Sequence, residues 1–148
     1  MDSLLNLIKN INKLTVGNVF FVVFSKTINQ KLIIQLNQEN QLKYGILEDD
    51  KLLPFYSKTS QKKWGKPNTR WTLKDTGDFY DSFDIVEVNE EYAMLYADAM
   101  KFDEEGNTTD LTAYGAILGL NEESLAILTD QIKEQITQIV LNEILEVN

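Results

Sequence analysis

Residues 73–83 read LKDTGDFYDSF, and this stretch decides how the segments on either side of it are arranged. Gly77 allows the chain to change direction, because glycine accepts backbone angles that other residues avoid. Phe79 and Phe83 are four positions apart, so in a helix they share one face. The stretch therefore predicts a structural corner, in which a short helical turn is anchored in the core by two aromatic rings.

The same stretch carries aspartates at every third position, at Asp75, Asp78, Asp81 and Asp84. Each step of three residues drifts about 60° around a helix, so these carboxylates spread over a stripe instead of converging. Thr76 or Asp75 is placed to cap the helical turn. Metal binding or carboxylate catalysis is the functional alternative, but capping and solvation by water is the preferred interpretation.

Upstream of the corner, apolar residues recur at helical spacing. A short helix is predicted over 2–13, and a longer one over 15–40. Residues 41–56 contain glycine, proline and a run of acids, and irregular structure is predicted there. Ser57 is placed to cap a short basic helix over 58–64. The predicted apolar side of the first helix consists of Leu4, Leu5, Ile8 and Ile11.

Downstream of the corner, alternating residues predict strands over 84–89 and 92–100, joined by a turn at 89–91. Residues 101–112 are interpreted as an exposed acidic loop, and 113–118 as a third strand. Asn121 is placed to cap a final helix. The apolar stripe of that helix consists of Leu125, Leu128, Ile132, Ile136, Ile139 and Val140.

These elements predict a single α+β domain over residues 1–148, with N-terminal helices, a small antiparallel sheet and a long C-terminal helix. Its parts are a helical section, a basic loop with the Thr-Gly corner, a sheet with the acidic loop, and the final helix. They cover residues 1–44, 45–82, 83–120 and 121–146 in that order.

The composition excludes several kinds of chemistry. The chain contains no histidine and no cysteine, so the commonest general base and the usual soft metal ligands are missing. The acidic stretch that starts at Asp103 does not follow the EF-hand pattern, because its glycine is fourth instead of sixth and Tyr114 is twelfth. We therefore expect no enzymatic activity, no catalytic residue, no metal and no cofactor. The uncharged stretch from Leu14 to Ser25 is too short to span a membrane, and we expect no membrane partner.

Charge is segregated along the chain, whose net charge is −9. Between residues 58 and 74 there are six basic residues and no acid, whereas from 75 to 110 there are twelve acids and one base. Such segregation favours contacts with partners. The basic segment with Trp64 and Trp71 is also compatible with nucleic acid, but the acidity of the whole chain disfavours direct binding. The predicted subunit or partner contacts are Lys58, Lys62, Lys63, Arg70, Lys74, Asp103, Glu104 and Glu105.

Four segments resemble, in order, the phage virion morphogenesis or tail-completion family. These are YSKTSQKK at 56–63, the Thr-Gly signature, Tyr92-Ala93, and ILGLNEES at 117–124 before the final helix. The resemblance extends from residue 45 to the end of the chain. It departs from the family after Tyr92-Ala93, where a histidine and a glycine often follow. The residues that match the signature and the strand after it are Thr76, Gly77, Phe79, Ser82, Phe83 and Tyr92.

The resemblance implies a structural protein of the head–tail interface, acting in tail completion or at the neck. It implies a homo-oligomeric ring that contacts other virion proteins, first in the host cytoplasm during assembly and then in the virion. The alternative is a cytosolic adaptor that binds a partner protein or nucleic acid through the basic segment at 58–74. Composition and periodicity by themselves indicate an acidic α+β domain.

Overall fold

The computed structural model describes residues 4–6, 8–9 and 14–145, and its fold is α+β, as predicted. Residues 4–6 and 8–9 are helical, in agreement with the short helix predicted over 2–13. Ile11, which was predicted on the apolar side of that helix, lies outside the described residues. The helices that follow are α1 (Val16–Phe24), α2 (Thr27–Gln35), α3 (Lys58–Trp64), α4 (Asp78–Asp81) and α5 (Glu122–Leu145). The strands are β1 (Asp84–Val88), β2 (Ala93–Tyr96), β3 (Met100–Phe102) and β4 (Thr108–Asp110).

The prediction of one helix over residues 15–40 is wrong, because the chain bends by 79° between α1 and α2. Polar side chains bond to the end of α1 at this break. Ser25, Asn29 and Gln30 each donate a side-chain hydrogen bond to a backbone carbonyl in the last turn of α1. The carbonyls of Phe21 and Val23 also accept the backbone N–H groups of Ser25 and Lys26, so the side chains add to the hydrogen bonding of the helix end. Among the described residues no single helix could span a membrane, although α1 together with the helical segment 27–44 has the necessary length and composition.

Helix α2 does not stop at Gln35 but changes its winding. It continues as a π-helical turn over Leu36–Gln41 and a 3-10 turn over Leu42–Tyr44, and Gly45 ends it in the left-handed region at φ 68°. A π-helical turn widens the helix and moves side chains out of the regular register. Here it directs Asn37 and Gln41 into the interior, where both are fully buried.

Two short antiparallel sheets replace the one that was predicted. β1 pairs with β2 through the turn predicted at 89–91, and β3 pairs with β4. The predicted strand over 92–100 is wrong in its second half, because the chain leaves β2 and starts a new hairpin at β3. The predictions of a loop over 101–112 and of a strand over 113–118 are also wrong. A tight turn at 103–107 forms the hairpin, and a 3-10 turn occupies Leu111–Tyr114.

The aspartates that flank these turns explain the difference. Asp103 accepts hydrogen bonds from the backbone N–H groups of Glu105 and Asn107, which closes the β3–β4 turn. Asp110 accepts from the backbone N–H of Thr112 and caps the 3-10 turn. Aspartate side chains offer the backbone such local partners in place of a strand ladder.

The buried apolar residues form two clusters, and the half-buried Leu95 of β2 packs against both. One lies around the corner, and the other lies between α1, α2, β1 and α5. The stripe predicted on α5 is confirmed at Leu128 and Ile132, but Leu125 is 47% exposed, so its place in the stripe is wrong. The corner cluster contains Leu42, Leu47, Leu53, Phe79, Tyr80, Phe83, Ala97, Leu111 and Ile117.

Buried amides join the π-helical turn to the start of α5. Gln41 donates from Nε2 to the carbonyl of Gly119 at 3.0 Å and accepts from the backbone N–H of Asn121 at 3.0 Å. Asn37 donates from Nδ2 to the same Gly119 carbonyl at 2.6 Å. Asn121 accepts from the backbone N–H of Ser124, so the cap predicted for the last helix is confirmed.

Candidate functional site: the hairpin cleft

A cleft of about 1040 Å³ opens between three segments that the sequence does not place together. Its sides are Tyr56 with the end of α3 at Trp64, the corner stretch, and the β3–β4 hairpin; we call it the hairpin cleft. Concave surfaces with aromatic lining are the usual location of binding sites. Both tryptophans of the chain line it. Its aromatic side chains are Tyr56, Trp64, Trp71, Phe79, Phe102 and Tyr114.

Aromatic rings form the walls of the cleft. Trp71 packs edge-on against Tyr114, with 5.1 Å between the ring centroids, and this pair joins the corner stretch to the segment after β4. At the rim, Trp64 is 62% exposed and Phe102 is 67% exposed. The cleft therefore offers flat apolar surfaces to an incoming group.

An ion triplet crosses the cleft at Asp75. Lys66 Nζ lies 2.7 Å from one carboxylate oxygen of Asp75, and Lys101 Nζ lies 2.6 Å from the other. These ammonium groups, first Lys101 and then Lys66, lower the pKa of Asp75 to about 2. The bond to Asp75 in turn raises the pKa of Lys66. The triplet ties the basic segment to strand β3.

Four other carboxylates line the cleft, on Asp78, Asp98, Asp103 and Glu104. Within the described residues none of the four belongs to an ion pair. The third ammonium group of the cleft, on Lys74, lies over the ring of Tyr80 at 5.3 Å. With five carboxylates against three ammonium groups, the cleft is negative overall.

The corner is built as predicted in most respects. Phe79 and Phe83 are buried with their ring centroids 5.0 Å apart. Gly77 has φ 98°, and a Cβ there would meet only one atom, at 3.9 Å, so glycine serves the backbone conformation and not a close approach. The prediction that Thr76 or Asp75 caps α4 is wrong, because the residue at the cap position is Gly77, which has no side chain to do so. The Asp75 carboxylate binds lysines, and Thr76, one residue further out, accepts a hydrogen bond of 3.4 Å from the backbone N–H of Asp78.

Two further details connect the corner to the cleft. Ser82 donates from Oγ to the carbonyl of Phe79 and accepts from the backbone N–H of Asp98, which fixes the chain between β2 and β3. Leu73, which lines the cleft, has φ 57°, a left-handed conformation that is uncommon without glycine. Such conformations concentrate at functional sites. Tyr92 of the matched strand lies instead on the surface and donates from its hydroxyl to Glu87.

The predicted contact residues fall into two groups. Lys58, Lys62 and Lys63 are exposed on α3, and the cap predicted for this helix is confirmed by the bond from Ser60 N–H to Ser57 Oγ. The acidic residues at 103–105 form the exposed tip of the β3–β4 turn. These surfaces remain predicted contacts.

Arg70, Lys74 and Asp103 have partners inside the chain. The Arg70 guanidinium donates to the carbonyl of Leu53 at 2.8 Å and covers the ring of Phe55. Lys74 lies over a ring, and the Asp103 carboxylate holds its own turn, where Asn107 in particular lowers its pKa. All three have structural roles that the charge pattern does not reveal.

The residues show no arrangement suited to metal binding. Across the described ranges 4–6, 8–9 and 14–145, no three Asp or Glu side chains converge in a way that could hold an ion. The sequence missed the hairpin cleft because its walls come from segments far apart in the chain. The available signal was the run of large apolar residues in the acidic segment, at Met100 and Phe102, which are exposed. No protein-family model matches the chain, and searches of the curated proteins and of the solved structures find no match either.

Proposed function

We propose that the protein is a non-enzymatic structural protein of a tailed phage, which forms a ring at the head–tail interface and contacts other virion proteins there. The motif series from residue 45 to the end of the chain suggests this role. The observation that carries the proposal is the uncovered apolar face of the β1–β2 hairpin.

That face exposes large apolar side chains beside two carboxylates. Val86, Met94 and Tyr96 are 52%, 45% and 51% exposed, whereas Ile85 and Leu95 of the same strands face the core. The exposed Asp84 and Glu87 lie opposite Tyr96 and Met94. β2 pairs with β1 on one side, and no other described strand pairs with its second edge. A face of this composition, next to an unpaired edge, is suited to cover by a neighbouring subunit.

The charged surfaces are compatible with a ring. Rings use heterologous contacts, in which one surface of a subunit meets a different surface of the next. The α3 lysines and the acidic tip at 103–105 are two such surfaces of opposite sign. Each exposed ion pair contributes roughly 0–1 kcal/mol, so the apolar face supplies most of the stability and the charges supply orientation.

The direct experiment is to delete the coding sequence from the phage genome that carries it and to examine the particles by electron microscopy. We expect heads and tails that are complete but not joined, and we expect the protein to be found in purified wild-type virions by mass spectrometry. Infectious particles that lack the protein would refute the proposal.

A surface variant tests the observation itself. Tyr96→Glu places a charge on the uncovered face, and Tyr44→Glu is a matched control because Tyr44 is similarly exposed elsewhere, at 59%. We expect Tyr96→Glu to block incorporation into particles and Tyr44→Glu to be incorporated normally, with equal melting curves. Equal incorporation of both variants would show that this face is not a contact.

The second candidate function is a cytosolic adaptor, which the hairpin cleft favours because partner binding requires no virion. Its distinguishing result is a protein that is absent from purified particles but binds a soluble partner. Retardation of DNA at physiological salt would indicate the nucleic-acid form of this alternative.

A further inference from the structure

We propose that the hairpin cleft binds an extended segment of another protein that carries arginine or lysine side chains. This inference concerns the chemistry of the cleft and does not require a virion, although Asp103 and Glu104 also belong to the acidic tip proposed for the ring contact.

Charge selects the partner. Asp78, Asp98, Asp103 and Glu104 face the cleft without an ion-pair partner in the described part of the chain, and Asp75 already holds both Lys66 and Lys101. A cationic side chain that enters would therefore meet carboxylates that hold no cation, although Asp78, Asp98 and Asp103 accept hydrogen bonds within the chain. A phosphate backbone would instead meet a surface with an excess of negative charge, which disfavours nucleic acid.

The aromatic lining selects the same partner. Arginine and lysine pack their aliphatic stems and cationic ends against aromatic faces. Phe102 on β3 offers an exposed ring, and the exposed Trp64 ring at the end of α3 already holds the ammonium group of Lys63 at 4.9 Å, which shows the kind of group that it accommodates. Aromatic grooves with acidic rims accommodate extended chains well, because such chains present their side chains at regular intervals.

The strand at the edge of the cleft explains why the segment is extended. β3 pairs with β4 on one side, and within the described residues no strand covers its other edge. Met100, Lys101 and Phe102, which make up β3, all line the cleft. Backbone groups on an uncovered edge are available to an added strand.

The two tryptophans provide the assay, because both line the cleft and the chain has no others. The probe is a ten-residue peptide of alternating proline and arginine, which is extended, basic and free of aromatic groups. We expect it to change the tryptophan emission of the full chain saturably, with a Kd below about 1 mM at ~0.15 M salt. The same peptide with glutamate in place of arginine, and a dT12 oligonucleotide, should cause no change.

Two matched pairs of variants locate the binding. Glu104→Lys should weaken binding of the arginine peptide by about fivefold, whereas Glu105→Lys in the same turn should not, because Glu105 does not line the cleft. Phe102→Ala should weaken it by at least about fivefold, and Met94→Ala on the β1–β2 face should have no effect. Circular dichroism checks that all four variants fold.

Several results would overturn the proposal. No emission change with the arginine peptide up to about 1 mM would show that the cleft does not recognise basic segments. Equal or tighter binding of the glutamate peptide or of dT12 would show an anion site instead. If sedimentation shows self-association that Glu104→Lys abolishes and Glu105→Lys does not, the cleft holds a second copy of this chain.

Discussion

Replacing Phe83 with alanine measures how strongly the corner holds the fold together. Phe83 is 8% exposed, and its ring packs against Phe79 at 5.0 Å and Tyr80 at 6.0 Å. A buried aromatic side chain removes about 150 Å² of surface from water, worth about 4 kcal/mol at about 25 cal/mol per Å². Alanine keeps about 1 kcal/mol of this, while the cavity and the lost ring contacts add about 1 kcal/mol to the cost.

We therefore expect Phe83→Ala to lower the free energy of unfolding by about 4 kcal/mol, a large part of the total for a domain of this size. With an m-value of about 2 kcal/mol per M, the midpoint of urea unfolding should fall by about 2 M. Tryptophan emission and circular dichroism would follow the transition. Phe79→Ala should cost a similar amount.

Asp81→Ala is the control from the same turn, because Asp81 is exposed. We expect a change below about 0.5 kcal/mol, as for other surface substitutions. The reasoning fails if Asp81→Ala costs more than Phe83→Ala. In that case the aspartates of the corner would be structural ligands, and the aromatic cluster would be a minor contributor.

Three further predictions concern single residues. The ion pairs that lower the pKa of Asp75 to about 2 stabilise the fold above the unfolded pKa of about 3.9 and are lost as the pH falls from about 4 to about 2. Because the carboxylate is partly exposed, Asp75→Asn should lower the free energy of unfolding by only about 1 kcal/mol at pH 7 and should have no effect below about pH 2. Urea melts at several pH values measure this, and a loss of stability that does not vary with pH would contradict it. Gln41→Leu leaves the buried N–H of Asn121 without its acceptor and should lower the free energy of unfolding by about 1–3 kcal/mol in the same assay. Unchanged stability would show that the hydrogen bonds of the Gln41 side chain do not stabilise the fold. Gly77→Ala should cost about 1–2 kcal/mol through backbone strain alone, since a Cβ has room there; unchanged stability would mean that the turn does not require a left-handed residue.

The parts of the fold that could be predicted are those with local signals. Ser57 and Asn121 precede helices and cap them, and the rings of Phe79 and Phe83 pack together as their spacing predicts, although Phe83 lies two residues beyond the end of α4. These signals act within one turn of a helix, so the sequence carries them directly. The α+β class follows from them.

The parts that could not be predicted depend on contacts distant in sequence or on very short elements. Strands β3 and β4 have three residues each, too few for a periodic pattern to be recognised. Arg70 carries the same charge as Lys62, yet one is bonded inside the chain and the other is exposed. The cleft is invisible to sequence reasoning because Trp71 and Tyr114 meet only after folding.

The side-chain hydrogen bonds between the π-helical turn and the start of α5 have a consequence for synthesis on the ribosome. Asn37 and Gln41 emerge early, but their acceptors at Gly119 lie 82 and 78 positions later in the chain. Asn29 likewise donates to Gln135, which lies 106 positions later in the chain. Contacts of such long range form late and slow folding. The side chains of Asn37 and Gln41 therefore leave the exit tunnel before their native partners have been made, and the interior closes only after residues 119–135 have been synthesised.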